Sequence, residues 1–315
     1  MVDNVLVVPL AAFQAMIGPR CNPFLSIVVS GGLKSKKLHF SVTVFADAVP
    51  HDRVLSAIDY LKHLYDVISL TSALSEQEFR FVFQAEDVPV DVTSASWETM
   101  TSWNTVTLIP DLYYFQAKGY EDTSPVDISW GDRDSKIVWR GSTTGLFHQH
   151  LEDLDLLSRY QMCQIVSRFG AFADVGLNAV VQAADPAQEG LIKDRLMSEG
   201  LFKPFLPMTD MARCRYILDI DGNSNSWNFM MKLRLGCCVL RVGSDWHQWF
   251  MPRLLPWVHF VPIGKDLSDM ESKINWCLEN SAECAEIAKC GTAFAREMRF
   301  DEEMVTAAAS LYQVH

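Results

Sequence analysis

The residues best suited to chemistry in this chain sit in one turn. Asp221, Gly222, Asn223, Ser224, Asn225 and Ser226 follow the apolar, β-branched run Tyr216–Ile220 and precede a helical pattern that begins near Trp227. Glycine is free to take a positive φ, and asparagine and serine are helix N-cap formers. A helix opening here leaves its first N–H groups unpaired at the carboxyl end of a strand, where they and the helix dipole attract an anion; a diphosphate fits best. Spacing alone leaves a second reading open, an ordinary α/β turn with a well-capped helix. A similar turn, GSTTG at Gly141–Gly145, follows the strand pattern Lys136–Arg140. Arg140 and the hydroxyls of Ser142 and Thr143 suit a phosphate there, although an arginine beside a strand end commonly forms a structural ion pair.

Such turns need strands and helices to hold them. Short apolar runs alternate with amphipathic stretches along the chain, the pattern of a parallel α/β sheet. The first half predicts strands at Val5–Val8, Leu38–Phe45, Phe79–Phe83 and Thr105–Ile109, a helix over His51–Asp66 and a short helical turn after Ser72. The second half predicts a helix over Leu151–Phe169, a second strand closing the run that ends at Val242, a strand at Val258–Val261, and helices over Leu267–Glu279, Ala282–Met298 and Glu302–Leu311. Tyr120–Asp134, with Pro125, Gly131 and several acids, reads as a crossing between domains. The expectation is an α/β protein of two doubly wound, Rossmann-like domains, 1–130 and 131–298, with 299–315 a C-terminal helix free to pack back on the first. Ligands bind outside the carboxyl ends of strands in such sheets, and both turns lie at such ends.

Composition narrows the partners. With 27 Lys and Arg against 39 Asp and Glu, the net charge of −12 argues against non-specific nucleic-acid binding, which needs a basic surface. No run approaches the ~18 apolar residues of a membrane span, though transient membrane association is left open. Met1–Phe13 carries an acid where a signal peptide carries basic residues. The 8 cysteines show no CxxC pair or zinc-ligand spacing, so they read as reduced thiols and the expected location is cytoplasmic. His148-Gln149-His150 has no evident third metal ligand and reads as a solvated loop. Asp219-Ile220-Asp221 matches the DxD pattern of metal-dependent transferases, but DxD recurs at Asp132–Asp134 and Asp153–Asp155, which shows how cheaply it arises.

Four blocks then resemble glycosyltransferase family 90 in order: WRGSTTG at Trp139–Gly145, YILDIDGNSNSW at Tyr216–Trp227, CCVLRV at Cys237–Val242 and DWHQWFMPRLLPWVHFVPIGKDLSDM at Asp245–Met270. FQAEDVP at Phe83–Pro89 and LIPDLYYF at Leu108–Phe115 extend the resemblance into the first half. The resemblance implies a GT-B-like fold, two such domains facing across a cleft, a UDP-sugar donor, inversion at the anomeric carbon and no metal or other cofactor. It points to Asp87 as the base that takes the acceptor hydroxyl's proton, with Glu86 its neighbouring rival.

Donor binding falls to Arg140, Gly141, Ser142, Thr143, Asp221, Gly222, Asn223, Ser224, Asn225 and Ser226. Animal members carry arginines where this chain has Thr143 and Asn228; Lys232 and Arg159 are the candidates to replace them. Trp103, Tyr113 and Tyr114 are the candidates for stacking on an acceptor, and Trp257 is expected to be packing. The expected acceptor is a glycan or glycolipid, as in lipopolysaccharide or capsule synthesis. Two other readings stay open: a binding module that has lost turnover, and a metal-dependent DxD transferase.

Overall fold

The computed structural model describes residues 2–8, 25–45, 51–71, 78–85, 95–100, 106–121 and 128–312. Asp87, Glu86, Trp103, Cys21 and the turn expected after Ser72 lie outside the described residues. The chain divides into two compact units, one of residues 1–122, 245–252 and 298–315, the other of 123–244 and 253–297. The chain therefore returns to the first unit twice, at 245–252 and at its end, a grouping set by packing rather than by order along the chain.

The first unit holds β1 (Val2–Val8), β2 (Leu25–Gly32), β3 (Lys37–Phe45), β4 (Glu78–Gln84), β5 (Ala95–Ser96), β6 (Thr99–Met100) and β7 (Thr107–Leu108). Six of these strands form one sheet in the order β1-β3-β2-β4-β5-β7. This sheet is mixed, not parallel throughout as expected: β2 runs antiparallel to both β3 and β4, because a tight turn at 33–36 folds β3 straight back on β2. The helix His51–Thr71 packs Tyr60, Leu61, Leu64 and Ile68 into the core beside Phe79, Phe81 and Phe83. The C-terminal helix Phe300–Tyr312 joins the same core: Tyr312 donates to the Leu61 carbonyl at 2.7 Å and meets Phe79 edge-on at 4.8 Å.

The second unit opens with β8 (Asp134–Ser142) and continues through β9 (Ala173–Ala179), β10 (Cys214–Asp219) and β11 (Cys238–Val242). The short β12 (Trp246–His247) belongs to the first unit, where it pairs with β6, and the second unit closes with β13 (Val261–Ile263). Its five strands are parallel in the order β9-β8-β10-β11-β13. Parallel strands are covered on both faces, so they are largely apolar, as Cys238-Val239-Leu240 of the all-buried β11 and the centre of β8, Ile137-Val138-Trp139, demonstrate. The helix Ser281–Glu297 buries Cys284, Ile287, Ala288, Gly291, Phe294 and Ala295, the spacing of one helix face. The helix Pro186–Ser198 starts at Asp185, whose carboxylate accepts from the N–H groups of Ala187 and Gln188 at 2.8 and 2.9 Å.

Several boundaries differ from the sequence reading. Leu151–Phe169 is a 3-10 segment, Leu151–Leu156, followed by an α-helix, Ser158–Ser167; an extended Leu157 separates them. The strand expected at Val258–Val261 begins only at Val261. The helix after the polar turn begins at Phe229, spans 6 residues and has Asn228 as its N-cap. The described cysteines are all free: six are buried, and Cys290 is half-buried.

Candidate functional site

Chain order in the second sheet reverses between β8 and β10: from β8 the chain goes out to β9 on one side and then to β10 on the other. The crevice at the carboxyl ends of two such strands is where open α/β sheets bind ligands. GSTTG leaves β8 and Asp221–Ser226 leaves β10, so the fold brings both turns to this crevice. They touch. Asn223 Oδ1 accepts from the N–H of Gly145 at 2.9 Å, and a Cβ built on Gly145 would lie 3.5 Å from the Gly222 carbonyl oxygen.

Arg159, from the helix Ser158–Ser167, ties the turns together. Its Nε donates to the Asp221 carbonyl at 2.8 Å and its Nη1 to the Ser142 carbonyl at 3.2 Å and to Thr144 Oγ1 at 2.5 Å. Its Nη2 reaches the Ile220 carbonyl at 3.4 Å, and the guanidinium lies 5.6 Å from the Trp139 ring. Burial pushes its pKa down to about 10, against the pull of Asp219 and Asp221, so it is charged at neutral pH. Arg159 is in no ion pair among the described residues. Its hydrogen bonds run to carbonyls and a hydroxyl, while Asp219 and Asp221 act on its charge from beyond ion-pair distance.

Beneath the second turn lies a buried ionic network. Asp219 Oδ1 accepts from Lys232 Nζ at 2.7 Å and from Ser226 Oγ at 2.5 Å, while Oδ2 accepts from Arg241 Nη1. Burial alone would raise the Asp219 pKa, but Lys232 and Arg241 outweigh it and hold it below the usual carboxylate range. Arg241 also lies 4.2 Å from the Phe229 ring. Asp221 Oδ2 accepts from Ser244 Oγ; its Oδ1 has no hydrogen-bond partner and lies 3.8 Å from Arg241 Nη2. Burial pushes Asp221 up to about 6 in spite of Arg241 and Ser244. With both oxygens of Asp219 engaged, this DxD has one carboxylate with free capacity rather than two. Among the described residues no group of three His, Cys, Asp or Glu side chains is placed to hold a metal ion.

The candidate residues separate accordingly. Ser142, Arg159, Asp221 and Asn223 are brought together where the two turns meet, while Ser226 is turned to Asp219. Ser224 is 2% exposed and its Oγ has no hydrogen-bond partner, an orphaned buried polar atom in the turn read as a phosphate site. Four expectations need correction. Arg140 is engaged by the neighbouring strand β9, where Asp174 Oδ1 takes its Nη2 at 2.7 Å, and the carbonyls of Trp139, Asp174 and Pro204 take its other donors. Thr143 is buried with its hydroxyl donating to the Val181 carbonyl and accepting from the Val181 N–H, both at 2.8 Å; Thr144 is the threonine that faces Arg159. Lys232, a candidate to replace a missing arginine, is no cation at the crevice mouth: it is 4% exposed and held by Asp219, and burial lowers its pKa.

The fourth correction concerns the turn's own chemistry. Gly222 does not have positive φ; it is glycine because a Cβ there would meet Thr144 Oγ1 at 2.7 Å and Arg159 Nη2 at 2.8 Å. The helix starts only at Phe229, so Asn223–Ser226 are not its first turn, and the Ser226 hydroxyl is taken by Asp219.

In the first unit Tyr114 is wholly buried, donating to the Met298 carbonyl at 2.8 Å and packed edge-on against Trp249 at 5.1 Å, so it is core and not a stacking surface. Tyr113 is 52% exposed. Trp257, expected to be packing, is 41% exposed, edge-on to Trp276 at 4.9 Å with Lys273 Nζ 4.5 Å from its ring. Sequence reasoning missed Arg241 and Ser244. A cation inside the apolar run CCVLRV was the available signal, since a buried charge requires a buried partner.

Comparison with known proteins agrees with the motif order. A family model described as glycosyl transferase family 90 matches residues 79–307, well over half of the chain. An uncharacterised protein of Invertebrate iridescent virus 6 is 36% identical over 92 residues, covering 26% of this chain and 8% of that protein. Protein O-glucosyltransferase 1 of Rattus norvegicus is 33% identical over 101 residues, covering 31% of this chain and 26% of that protein. The chain spans about a quarter or less of the length of these curated relatives. Among solved structures, Anabaena HepE in complex with UDP-glucose is similar with a TM-score of 0.40 at 13% identity, over 55% of this chain and 47% of that one. A glycosyltransferase from Rickettsia africae is similar with a TM-score of 0.40 at 8% identity, over 87% and 84%. No helix among the described residues is long and apolar enough to cross a membrane.

Proposed function

The chain belongs to glycosyl transferase family 90, and on that premise we propose that it moves a sugar, glucose, xylose or similar, from a UDP-sugar to a hydroxyl of a glycan or glycolipid acceptor, with inversion and without a metal. The observation that carries this reading is the meeting of GSTTG and Asp221–Ser226 at the switch point between β8 and β10, bridged by an arginine that makes no ion pair among the described residues. The two units would then be the two domains of a GT-B-like enzyme, the second holding the donor. A role in lipopolysaccharide, capsule or related glycan synthesis, in the cytoplasm, suits this chemistry.

In the proposed reaction Asp87 takes the proton of the acceptor hydroxyl as its oxygen attacks the anomeric carbon. The bond from that carbon to the diphosphate oxygen breaks, and UDP leaves with the bonding pair. Negative charge grows on the leaving diphosphate. Arg159, the N–H groups of the two turns and the hydroxyl of Ser224 are the groups preorganised to meet it. Arg140 and Lys232 are committed to Asp174 and Asp219, so Arg159 carries the role both were candidates for.

The test is to titrate the purified protein with UDP by calorimetry and to follow UDP release from UDP-glucose and UDP-xylose, with Asp87→Asn alongside. UDP binding that survives in the variant while sugar release collapses supports the reading. No UDP binding by the wild type sinks it. A second reading, donor binding without turnover, draws on the lack of both arginines of the animal members; wild-type UDP binding with no release from either donor would favour it.

A further inference from the structure

The second unit carries an open groove of about 900 Å³, lined wholly by its own residues, at the end of the sheet away from the two turns. Trp130 and Arg133 line it just ahead of β8, and Leu235 and Gly236 just ahead of β11, so it lies at the amino ends of these strands. GSTTG and Asp221–Ser226 leave carboxyl ends. The 9 residues of β8 separate the two places by about 30 Å. The facing wall is the helix Ser281–Glu297, where Ala285, Lys289, Thr292 and Arg296 recur at steps of three and four and share one face.

The lining is basic in an acidic chain. Arg133, Arg234, Lys289 and Arg296 line the groove against a single acid, Glu286, in a protein of net charge −12. Arg133 is 5% exposed and is held by neutral groups: its Nε donates to the Ile128 carbonyl at 3.2 Å, its Nη2 to the Leu235 carbonyl at 3.0 Å, and its Nη1 to the Ala212 carbonyl and, at 3.4 Å, to Cys237 Sγ. One of its five N–H donors, on Nη2, is left unspent. It has no carboxylate partner among the described residues, and a buried charge without a counter-charge is unfavourable. Gly236, at φ 76, keeps the space beside Nη2 clear, since a Cβ there would lie 2.7 Å from that nitrogen. Arg296, exposed at the rim, is in no ion pair among the described residues. Arg234 is fixed against the same helix by donating to the Ala295 carbonyl at 2.8 Å.

Trp130 and Leu235, with alanines of the helix, supply apolar walls, and the indole is held in place by its Nε1 donating to Ser281 Oγ at 3.1 Å. The volume is that of a small-molecule site, roughly 300 to 1,000 Å³. Guanidinium groups beside an apolar wall suit an acid group carried on an apolar body.

We propose that this groove is a second ligand site, for a small organic anion whose phosphate or carboxylate meets Arg133 and Arg296 and whose apolar or aromatic body lies against Trp130 and Leu235. The inference does not rest on the donor-site reading, and loss of that reading would leave it standing.

The probes are 1-naphthyl phosphate and 1-naphthoate, with inorganic phosphate and 1-naphthol as halves of the same chemistry, titrated by calorimetry into wild type, Arg296→Glu and Ala293→Trp. Both substitutions fall at exposed positions of the groove wall, and the melting temperature checks folding. At least one naphthyl acid is expected to bind wild type about tenfold or more tighter than either half, and which one binds assigns the acid group. Arg296→Glu should weaken it about tenfold, the equivalent of one charge-assisted hydrogen bond, and Ala293→Trp should abolish it by filling the groove. Binding should persist when UDP is present in excess. Neither acid binding to wild type, unchanged affinity in both folded variants, or displacement of the probe by UDP would each overturn the proposal.

Discussion

A methyl group placed on Gly222 would lie 2.8 Å from Nη2 of Arg159, closer than a real Cβ approaches a heavy atom. The two residues are 63 positions apart, yet each defines the other: the guanidinium fits only because position 222 has no side chain. Arg159 is in turn pinned by the Ser142 and Asp221 carbonyls and Thr144 Oγ1. Gly222→Ala is therefore expected to displace the arginine, cost about 1 to 3 kcal/mol of stability and weaken UDP binding. Urea unfolding and calorimetric titration check this; unchanged UDP affinity would show that the fork is not part of the site.

Arg159→Lys keeps the charge and loses the planar fork. A single ammonium cannot serve the Asp221 carbonyl, the Ser142 carbonyl and Thr144 together. The expected result is about tenfold weaker UDP binding, with Arg159→Gln weaker still because the charge is gone as well. If lysine restored full affinity, the charge alone would be the contribution.

Arg140 gives the opposite expectation. Its guanidinium belongs to Asp174 and to three carbonyls, and the Asp174 carboxyl is held below its usual range by that arginine and Lys203 despite burial. Arg140→Met should lower the melting temperature while UDP affinity stays within about twofold of wild type, less than half a kcal/mol. A large affinity loss in a folded variant would return Arg140 to the site.

The acid at the crevice makes stability depend on pH. Asp221 is held at about 6 in the fold against about 3.9 in an unfolded chain. Between those values the folded state binds more protons, so stability falls as pH rises from about 4 to about 6. Asp111, which burial pushes up to about 7, acts in the same direction, so the variant must be compared with wild type. Asp221→Asn should flatten the melting-temperature profile over that range. Parallel profiles would place the Asp221 titration elsewhere.

The adjacent tyrosines should part company. Tyr114→Ala removes a wholly buried ring and its bond to the Met298 carbonyl, an expected loss of about 3 to 5 kcal/mol. Tyr113→Ala, at a half-exposed position, should stay within about 0.5 kcal/mol by the same chemical denaturation.

The sequence by itself determined the parts whose cause is local. Apolar runs and turn formers marked β8, β10 and β11, the two polar turns between strand and helix, and the helices Met270–Glu279, Ser281–Glu297 and Phe300–Tyr312 to within a few residues. The motif order identified the family. Only the tertiary structure decided which charges are free, because a cation's role depends on the anion it meets, and those anions come from other elements: Asp174 takes Arg140, and Asp219 takes Lys232 and Arg241. Pairing across 34 or 22 positions leaves no trace in spacing. The same holds for Gly222, whose missing side chain answers to an arginine on another helix, and for the mixed first sheet, whose strand directions were settled by packing that short-range pattern does not encode.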